Sequence, residues 1–575
     1  MPSAIVKRPR RWDQPFGESM SREELGRVLS APHFAQMDED NFPAHTSLAG
    51  LIQNDCRLRQ FSANELIVSA GEYLNSAFLV LSGQVLLVRG ASADQQADNS
   101  ITAPAYGFWQ ALAKEFNRST YPETREIISA RGTRQNRQET NRVKSRQVDI
   151  ESLLEVKGSD AIELHTGDLF GEAAVLGRNE LLSSVVAINT VEVLEIRWQG
   201  LREFRKYEPA FKAFVDDLYR QRGLYEHLLT LPLLRHIDRT KIKQLAEIAL
   251  FEVHGNFAWQ KNFNSLNRRI DEDNYYNELI ESEPRIAGEG DYPDGVLLLR
   301  NGFARISRKI NHGHYTLGHL GAGGVFGLRE VYSAWQQGKS QALPCSLSAL
   351  GYTDVIRIPS QWLEQHVFSD SENRLLQQAL QTALDDSQQG GQLQDAGVSV
   401  DRKLIEFTVE NRYINGSKTM MIDLERCTRC DDCVTACANA HDNNPRFLRH
   451  GPKFGQYMVA NACMHCEDPV CMIGCPTGAI HRSANGIVQI NDQTCVGCSS
   501  CANNCPYENI RMVPVRDQQN QLYVDDKAQP ILKATKCDLC IGSSAQPACE
   551  RACPQDALTR IDLKDLVSLA EWVGR

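Results

Sequence analysis

The sequence predicts a multidomain α+β protein in which two strand-rich regions with flanking helices precede a cysteine-rich region. The chain has 575 residues, which is enough for about three to four domains. Apolar runs hinged at a glycine occur twice, and 16 of the 18 cysteines lie between Cys427 and Cys553. We expect the following parts: a tail over 1–31, a first domain over 32–227 with an insertion at 90–159, a second domain over 228–384, a linker over 385–400, and a last domain over 401–575.

The first domain is predicted to consist of strands followed by a helix. Phe78 to Arg89 consists of two apolar runs joined at Gly83, which predicts a hairpin or meander. After the polar insertion, strand-like sequence resumes at Ile162 and continues to Ile196. Residues 201–226 carry apolar positions at helical spacing, so we expect a helix there.

The second domain repeats this plan. Gly302 divides the apolar run 296–307 as Gly83 divides the earlier one, and GGVFGLREV (323–331) mirrors GDLFGEAAV (167–175). Helices are predicted over 228–237, 242–253 and Leu375–Leu384. The sequence therefore predicts an internal duplication.

The sixteen cysteines form four groups of four along the chain. Two groups have the spacing C-x2-C-x2-C-x3-C, and the others have a longer middle gap. Pro476, Pro506 and Pro554 directly follow the last cysteine of three groups. The groups are Cys427, Cys430, Cys433 and Cys437; Cys463, Cys466, Cys471 and Cys475; Cys495, Cys498, Cys501 and Cys505; and Cys537, Cys540, Cys549 and Cys553.

The spacing distinguishes three uses of such cysteines. Disulfides do not need triplets, and a zinc site takes two C-x2-C pairs. A [4Fe–4S] cluster takes four thiolates, three of which can come from one tight loop, while the fourth cysteine ligates the other cluster in two-cluster ferredoxins. We therefore expect four [4Fe–4S] clusters. Cys56 and Cys345 lie outside the pattern.

Residues 418–562 resemble the four-cluster ferredoxin-type electron-transfer subunits of bacterial molybdopterin oxidoreductases. The stretches 475–507 and 537–558 carry the resemblance. It implies a double bacterial-ferredoxin-like domain in which the first group pairs with the fourth and the second with the third. The implied ligand sets are Cys427, Cys430, Cys433 and Cys553; Cys537, Cys540, Cys549 and Cys437; Cys463, Cys466, Cys471 and Cys505; and Cys495, Cys498, Cys501 and Cys475.

FLVLSGQVLLV (78–88) and the stretch 167–187 resemble cyclic-nucleotide-binding domains, which implies a β-roll with flanking helices. Gly171 and Glu172 match the start of the family's phosphate-binding cassette, where the glutamate takes the ribose hydroxyl. The family's phosphate-binding arginine falls on Leu181, which cannot supply a charge-assisted contact. Arg178 is close by but on the wrong side of the loop in this alignment. In the second copy Leu328 replaces the glutamate, the arginine position falls near Leu343, and Arg329 is the candidate substitute. We therefore favour structural or docking use of both copies over cyclic-nucleotide binding.

Charge gives little support to other classes of partner. The formal net charge is −10, and the basic stretch 131–146 has no interleaved aromatic residue, so we expect no nucleic-acid binding. The most apolar region, Leu66 to Val88, is broken by polar residues and predicts strands rather than a membrane span. We expect a cytoplasmic protein, because thiols stay reduced there.

Several residues near the cysteines allow other interpretations. A histidine can replace a cysteine ligand, but each set is complete, so we expect supporting or surface roles for His441 and His465. Four basic residues close to the groups are candidates for raising a nearby cluster potential, although we favour solvated surface charges: Arg511, Arg516, Lys533 and Lys536.

The functional hypothesis is a non-catalytic electron-transfer subunit whose front domains dock or regulate. The chemistry would reside on a partner in a hetero-oligomeric complex: a molybdopterin enzyme, a hydrogenase or a flavoprotein NAD(P)H oxidoreductase. A cyclic-nucleotide- or redox-responsive regulator is the alternative, and a free-standing ferredoxin is a weaker one. The amphipathic stretch 561–575 is expected to pack on its own domain.

Overall fold

The computed structural model describes most of the chain in fourteen segments. These are residues 20–89, 121–125, 147–148, 150, 160–234, 236–256, 259–267, 275–310, 313–369, 376–377, 380, 402–483, 485–541 and 546–573. The predicted linker 385–400, the basic stretch 131–146, most of the tail and most of the helix Leu375–Leu384 lie outside the described residues.

The helices surround the strand-rich parts and are short in the cysteine-rich part. They are α1 Arg22–Leu29, α2 Leu48–Asp55, α3 Glu172–Gly177, α4 Trp198–Tyr207, α5 Pro209–Thr230, α6 Arg239–Ile248, α7 Trp259–Asn267, α8 Tyr275–Ser282, α9 Leu328–Gln337, α10 Ser360–Leu363, α11 Arg402–Glu410, α12 Asp432–Ala440, α13 Val470–Ile473, α14 Ser500–Asn504, α15 Ala548–Arg551 and α16 Leu566–Val573. A π-helical turn, Glu364–Phe368, follows α10.

The first strand-rich part is a roll of two four-stranded antiparallel sheets. Their strand orders are β1-β8-β3-β6 and β2-β7-β4-β5. Two apolar clusters fill this part, one between the sheets around Phe78 and Val80 and one under the helices around Phe204 and Val215. The strands are β1 Cys56–Phe61, β2 Leu66–Val68, β3 Ser76–Ser82, β4 Val85–Arg89, β5 Asp160–Leu164, β6 Leu169–Phe170, β7 Ser183–Ala187 and β8 Val191–Arg197.

The second strand-rich part repeats the first strand for strand. Its sheets have the orders β9-β16-β11-β14 and β10-β15-β12-β13, which are the first two orders with eight added to each number. The strands are β9 Leu250–His254, β10 Arg285–Ala287, β11 Gly295–Asn301, β12 Ala304–Ile310, β13 Gly313–Leu320, β14 Val325–Phe326, β15 Ser346–Ala349 and β16 Thr353–Pro359. The two β-rolls predicted from the sequence are confirmed by this shared topology.

The predicted hairpins are wrong, although the strands and their glycine turns are right. β3 pairs with β8 and β6, whereas β4 pairs with β7 and β5, so the chain crosses from one sheet to the other at Gly83. Gly83 has φ +85°, and a Cβ there would lie 2.5 Å from the carbonyl oxygen of Thr190. Gly302 makes the same crossing in the second roll with φ +82°. Apolar alternation alone does not say which sheet a strand joins.

Helix boundaries also differ from the prediction. The helix expected over 201–226 is divided, because α4 ends at Tyr207 and Pro209 begins α5. α5 continues to Thr230, so it covers the start of the helix expected over 228–237. The helix expected over 242–253 ends at Ile248 and gives way to β9, which pairs with β16.

The cysteine-rich part combines a small sheet, two hairpins and short helices. β18 Lys453–Phe454, β19 Tyr457–Val459, β17 Thr419–Asp423 and β24 Leu558–Ile561 form one sheet in the order β18-β19-β17-β24. The hairpins are β20 Ile480–Arg482 with β21 Val488–Ile490, and β22 Arg511–Pro514 with β23 Leu532–Thr535. In the described part of 561–575 the helix is α16, and Leu569 and Trp572 are buried against their own domain as expected.

Candidate functional site

The cysteine loops are tight turns that lead into short helices. Arg429 and Asp431 have φ of 62° and 66° between the cysteines of the first group, and Ser499 has φ 64° in the third. α12 follows the first of these turns and carries Cys433 and Cys437. α14 follows the turn at Ser499 and carries Cys501. In both groups the last cysteine lies on the helix or just past it.

Thiols from distant groups meet in four places. A cavity is lined by Cys427, Cys430, Cys433 and Cys553. Three further assemblies consist of thiols close enough to influence one another's pKa. They are Cys437, Cys537, Cys540 and Cys549; Cys463, Cys466, Cys471 and Cys505; and Cys475, Cys495, Cys498 and Cys501. Cys471 is influenced by Cys501 as well as by Cys463 and Cys505, so two of these assemblies adjoin.

These thiols are mostly withdrawn from water. Burial, opposed by a hydrogen bond from the main-chain N–H of Arg446, raises the pKa of Cys437 to about 12, and burial and nearby thiols raise the pKa values of Cys501 and Cys549 to about 12. All eighteen cysteines lie in the described segments, and none forms a disulfide. Thiols of this kind become thiolates when a metal displaces their protons. The donor set therefore fits iron–sulfur clusters, which take four thiolates each.

Main-chain and guanidinium N–H groups point at several sulfur atoms. The N–H of Arg446 donates to Cys437 Sγ at 3.2 Å, and the N–H of Ala557 donates to Cys553 Sγ at 3.2 Å. Arg560 Nη2 donates to Cys537 Sγ at 3.0 Å. Hydrogen bonds to ligand sulfur are one of the ways in which a protein sets cluster potential.

Lys533 and Lys536 are buried, so the expectation that they are solvated surface charges is wrong. Lys533 Nζ donates to the carbonyl oxygens of Asp492 and Cys495 at 2.7 and 2.6 Å. Lys536 Nζ donates to the carbonyl oxygen of Cys537 at 2.9 Å. Both side chains hold the backbone of cysteine loops and bring positive charge beside them. No local sequence pattern indicates this, because their carbonyl partners can come from any residue type.

The histidines near the cysteines have supporting contacts. His465 is 2 % exposed, and its Nδ1 accepts the N–H of Val488 at 3.2 Å. His441 Nε2 lies 3.0 Å from Asp538 Oδ1 and 3.8 Å from Cys540 Sγ. Each of the four thiol assemblies already has four members, so these contacts suit residues that support the loops.

The first β-roll is attached to the second cysteine loop through Arg482, which is 4 % exposed. Its guanidinium donates to the carbonyl oxygens of Arg178 at 3.0 Å and Glu467 at 2.8 Å, and it lies 4.5 Å from the centre of the Tyr73 ring. Asn75 pairs with the Arg482 backbone, with Nδ2 to carbonyl oxygen at 2.6 Å. The roll therefore covers one face of this loop.

We call residues 169–181 the first cassette and residues 325–343 the second cassette. Each has a left-handed glycine, Gly171 with φ 79° and Gly327 with φ 81°, immediately before a helix. Leu181 exchanges backbone hydrogen bonds with Gly71 and Glu72, and Leu343 does so with Gly290 and Asp291. The two leucines are therefore structurally equivalent, as the sequence comparison placed them. Both are buried, at 7 % and 4 % exposure.

The first cassette is enclosed by neighbouring parts of the chain. Asn301 Nδ2, from the second roll, donates to the carbonyl oxygen of Gly177 at 2.9 Å. Arg178 forms an ion pair with Asp468, between Cys466 and Cys471. Glu172 is 2 % exposed, and burial raises its pKa to about 7, with Arg222 acting in the opposite sense.

The second cassette faces a cavity of about 710 Å³. Gly327 and Leu343 line it, together with Asp291 and Asp294, and the Asp294 carboxylate pairs with Arg357 at 2.8 Å. Arg357 also lines this cavity, but its guanidinium is already paired with Glu252 and Asp294, and leucine stands at the family's arginine position. The cavity is therefore a poor phosphate site, since a buried phosphate needs a compensating positive charge.

The second roll meets the cysteine-rich part through a buried charge cluster. Glu283 pairs with Arg305 at 2.9 Å within the roll and with Arg412 at 2.9 Å, just after α11. Phe303 and Leu350 join the apolar cluster around α11. Both rolls are therefore packed against the part that carries the cysteines. Among the described residues, no helix is long and apolar enough to cross a membrane.

Comparison with known proteins identifies the family of the cysteine-rich part. The family model described as a 4Fe-4S dicluster domain matches residues 454–563. The electron transport protein HydN of Escherichia coli K12 is 34 % identical over 176 residues, which are 28 % of this chain and 93 % of HydN. The B subunit of the anaerobic dimethyl sulfoxide reductase of Haemophilus influenzae is 33 % identical over 165 residues, which are 25 % of this chain and 73 % of that protein. AegA of Escherichia coli K12 is 35 % identical over 158 residues, but the match spans only 21 % of AegA.

Among solved structures, the regulatory domain of Toxoplasma gondii PKA with cAMP matches 62 % of this chain and 97 % of that structure, at 12 % identity and a TM-score of 0.20. The assignment of the rolls rests instead on their strand order. The match to HydN covers nearly the whole of that protein, and the dicluster family model matches residues inside the cysteine-rich part. Through its last third, this protein belongs to the family of ferredoxin-type iron–sulfur electron-transfer proteins that includes HydN and the B subunit of the anaerobic dimethyl sulfoxide reductase.

Proposed function

We propose that the protein relays electrons through four [4Fe–4S] clusters to or from a partner redox enzyme. The observation that carries the proposal is the convergence of sixteen thiols into four assemblies of four. Each assembly draws three cysteines from one group and the fourth from another, which is the crossed ligation of two-cluster ferredoxins. The proposed ligand sets are the four assemblies given above.

The residues around the thiols support this role. When bound, the clusters supply one-electron redox centres. The protein buries most of the thiols and directs N–H groups such as those of Arg446 and Arg560 at sulfur. These contacts stabilise negative charge on the ligand sulfur.

Exposure of the cysteines suggests where electrons enter and leave. Cys430 and Cys498 are exposed, and they belong to different assemblies. The assemblies of Cys437 and Cys463 have no exposed member. We propose that the assemblies of Cys430 and Cys498 face partners, while the other two pass electrons internally.

The partner is proposed from the relatives. One relative is the B subunit of an anaerobic dimethyl sulfoxide reductase, and PhsB of Salmonella typhi is a thiosulfate reductase electron transfer subunit that is 30 % identical over 178 residues. We infer a hetero-oligomeric complex with a molybdopterin enzyme, a hydrogenase or a flavoprotein NAD(P)H oxidoreductase. The protein itself would be a non-catalytic subunit. We place it in a reducing compartment such as the cytoplasm, because its thiols must stay reduced until they bind iron.

The regulator alternative is less well supported. Leu181 and Leu343 occupy the positions where a cyclic phosphate would need an arginine. The rolls instead pack against the cysteine-rich part through Arg482 and Glu283, which supports a docking or shielding role.

The test is anaerobic purification of the complete protein from its native host. We expect about sixteen irons and sixteen sulfides per chain, together with a redox enzyme in fixed ratio. Cys345→Ser is the matched control, because Cys345 is a buried cysteine of the second roll and should not change the iron count. Zinc in place of iron, or about eight irons or fewer, would contradict the four-cluster proposal.

A further inference from the structure

Residues 121–125, within the insertion of the first roll, lie on the cysteine-rich part. The N–H of Glu123 donates to the carbonyl oxygen of Asp442 at 2.9 Å, and the N–H of Arg516 donates to the carbonyl oxygen of Glu123 at 3.0 Å. The N–H of Arg125 donates to the carbonyl oxygen of Arg516 at 2.9 Å. The backbone of segment 121–125 is therefore hydrogen-bonded to two parts of the cysteine-rich domain, at Asp442 and at Arg516.

The Glu123 side chain is 4 % exposed and fully engaged. Its Oε1 accepts from Asn444 Nδ2 at 2.6 Å and from Arg446 Nη1. Its Oε2 accepts from Arg125 Nε at 2.8 Å. A buried carboxylate with this many donors fixes its partners in one arrangement, because any other arrangement leaves buried charge unpaired.

Arg446 is the link from Glu123 to a thiol. Its guanidinium binds Glu123 while its own main-chain N–H donates to Cys437 Sγ at 3.2 Å. Cys437 belongs to the buried assembly with Cys537, Cys540 and Cys549. The position of the Arg446 backbone thus determines a hydrogen bond to a proposed ligand.

Arg125 reaches the other pair of cysteine groups. Its Nη1 lies 2.6 Å from both carboxylate oxygens of Asp492. The carbonyl oxygen of Asp492 accepts from Lys533 Nζ, which also donates to the carbonyl oxygen of Cys495 at 2.6 Å. One short segment therefore contacts loops from both halves of the cysteine-rich part.

We propose that Glu123 is a positioning residue that holds Arg446 so that its N–H donates to the Cys437 sulfur, and that segment 121–125 tunes the cluster of that assembly. The inference rests on the proposed function, because it concerns a cluster that Cys437 would ligate. A hydrogen bond to ligand sulfur stabilises the more negative, reduced state, so its loss lowers the reduction potential.

The test compares Glu123→Asp with Glu123→Gln in the complete protein. Aspartate keeps the charge but shortens the reach, whereas glutamine keeps the reach and removes the charge. Redox titration followed by electron paramagnetic resonance should show a lower potential for one cluster in Glu123→Asp. That cluster is identified by the signal lost in Cys540→Ala. Hydrogen exchange in the peptide that contains Arg446 should accelerate in the same variant.

Glu289→Asp is the control, because Glu289 pairs with Arg308 at 3.6 Å on the second roll and takes no part in the contacts of segment 121–125 described above, so it should change neither measurement. If Glu123→Asp leaves every potential unchanged, the inference is wrong, whether or not hydrogen exchange responds. If the reduction potential changes in Glu123→Gln but not in Glu123→Asp, the charge of Glu123 sets the potential, and the positioning proposal is wrong. Iron and sulfide are counted first in the unmodified protein, so a failure of the proposed function is seen separately.

Discussion

The cysteine loops and the two cassettes differ in whether the side chains needed to bind a ligand are present. The cysteine loops retain both their turns and every thiol, and the thiols converge from groups far apart in the chain. The cassettes retain their turns at Gly171 and Gly327, but both have leucine where a phosphate would need arginine. The conformation of a loop and its ability to bind a ligand are thus separable, because a glycine allows the turn whether or not the ligand-binding side chain is present.

The two cassettes have also diverged from each other. The first is enclosed by Asn301, Asp468 and Arg482, so its helix serves as a junction between three parts of the chain. The second faces an open cavity with carboxylates at its mouth. We therefore expect changes in the cysteine loops to abolish cluster binding, changes around the first cassette to destabilise the fold, and nucleotide to affect neither cassette.

The largest effect, on iron content, should come from replacing proposed cluster ligands. This tests whether each cluster takes its cysteines from two different groups. Cys430→Ala and Cys553→Ala should each remove about four irons per chain, because each removes a ligand of the same cluster. The double variant should lose no more iron than either single variant. Iron and sulfide analysis measures this. Additive losses would show that the two cysteines serve different clusters.

A substitution at the junction of the first cassette should have the next largest effect, on the free energy of unfolding. Arg482→Ala leaves the carbonyl oxygens of Arg178 and Glu467 without their donor in a buried interface, and should cost about 3 kcal/mol of unfolding free energy. Chemical denaturation followed by circular dichroism measures it. Asp294→Ala, at the second cassette, should cost less than about 1 kcal/mol because that carboxylate is exposed. Equal costs would remove the distinction between the cassettes.

The buried carboxyl of Glu172 should make stability depend on pH. Its pKa rises from 4.5 when unfolded to about 7 when folded, so the folded state binds the proton more tightly. The unfolding free energy should fall as pH rises from 4.5 to 7, by up to about 3 kcal/mol, since each pKa unit corresponds to about 1.4 kcal/mol.

Glu172→Gln should flatten this part of the pH profile and leave the variant more stable than the unmodified protein above pH 7. The second cassette has Leu328 at this position, and its nearest comparable group is Glu330, whose pKa is also raised by burial. Glu163→Gln is the control, because Glu163 is exposed on β5. A profile that Glu172→Gln does not alter would mean that the carboxyl is ionised in the folded protein.

The smallest expected effect is that of cyclic nucleotide. Cyclic AMP or cyclic GMP at about 1 mM should leave the unfolding temperature unchanged. Leucine stands at the family's arginine position in both cassettes, and Arg178 and Arg357 are already paired with carboxylates. A ligand present at a hundred times its dissociation constant would stabilise the protein by about 2.7 kcal/mol. A concentration-dependent rise of the unfolding temperature would therefore contradict the interpretation of both cassettes.

The rolls and the groups of thiols are well predicted from the sequence, because their signals are local. Turn glycines, apolar alternation and short cysteine spacings are each visible in a few residues. The sheet partners of β3 and β4 are not, since Gly83 only shows that the chain turns, and both strands are equally apolar.

Other features of the site depend on contacts that no local pattern reveals. Asn75 and Arg482 meet across 407 positions, and Arg482 contacts main-chain carbonyls that any residue could offer. Glu123 lies in a polar insertion whose composition is typical of a solvated loop, and only the fold shows it buried beside Arg446. Lys533 and Lys536 look like surface charges for the same reason.

The bridge from Glu123 to Arg446 has a consequence for biosynthesis. The two residues are 323 positions apart, and the glutamate leaves the ribosome first. Front rolls can fold as they emerge, since domains of a nascent chain generally fold as units from the N-terminus. Segment 121–125, however, must wait for its binding surface until Arg516 has been synthesised. We therefore expect the hydrogen bond from Arg446 to Cys437 to reach its final geometry late in folding, after the rolls have formed.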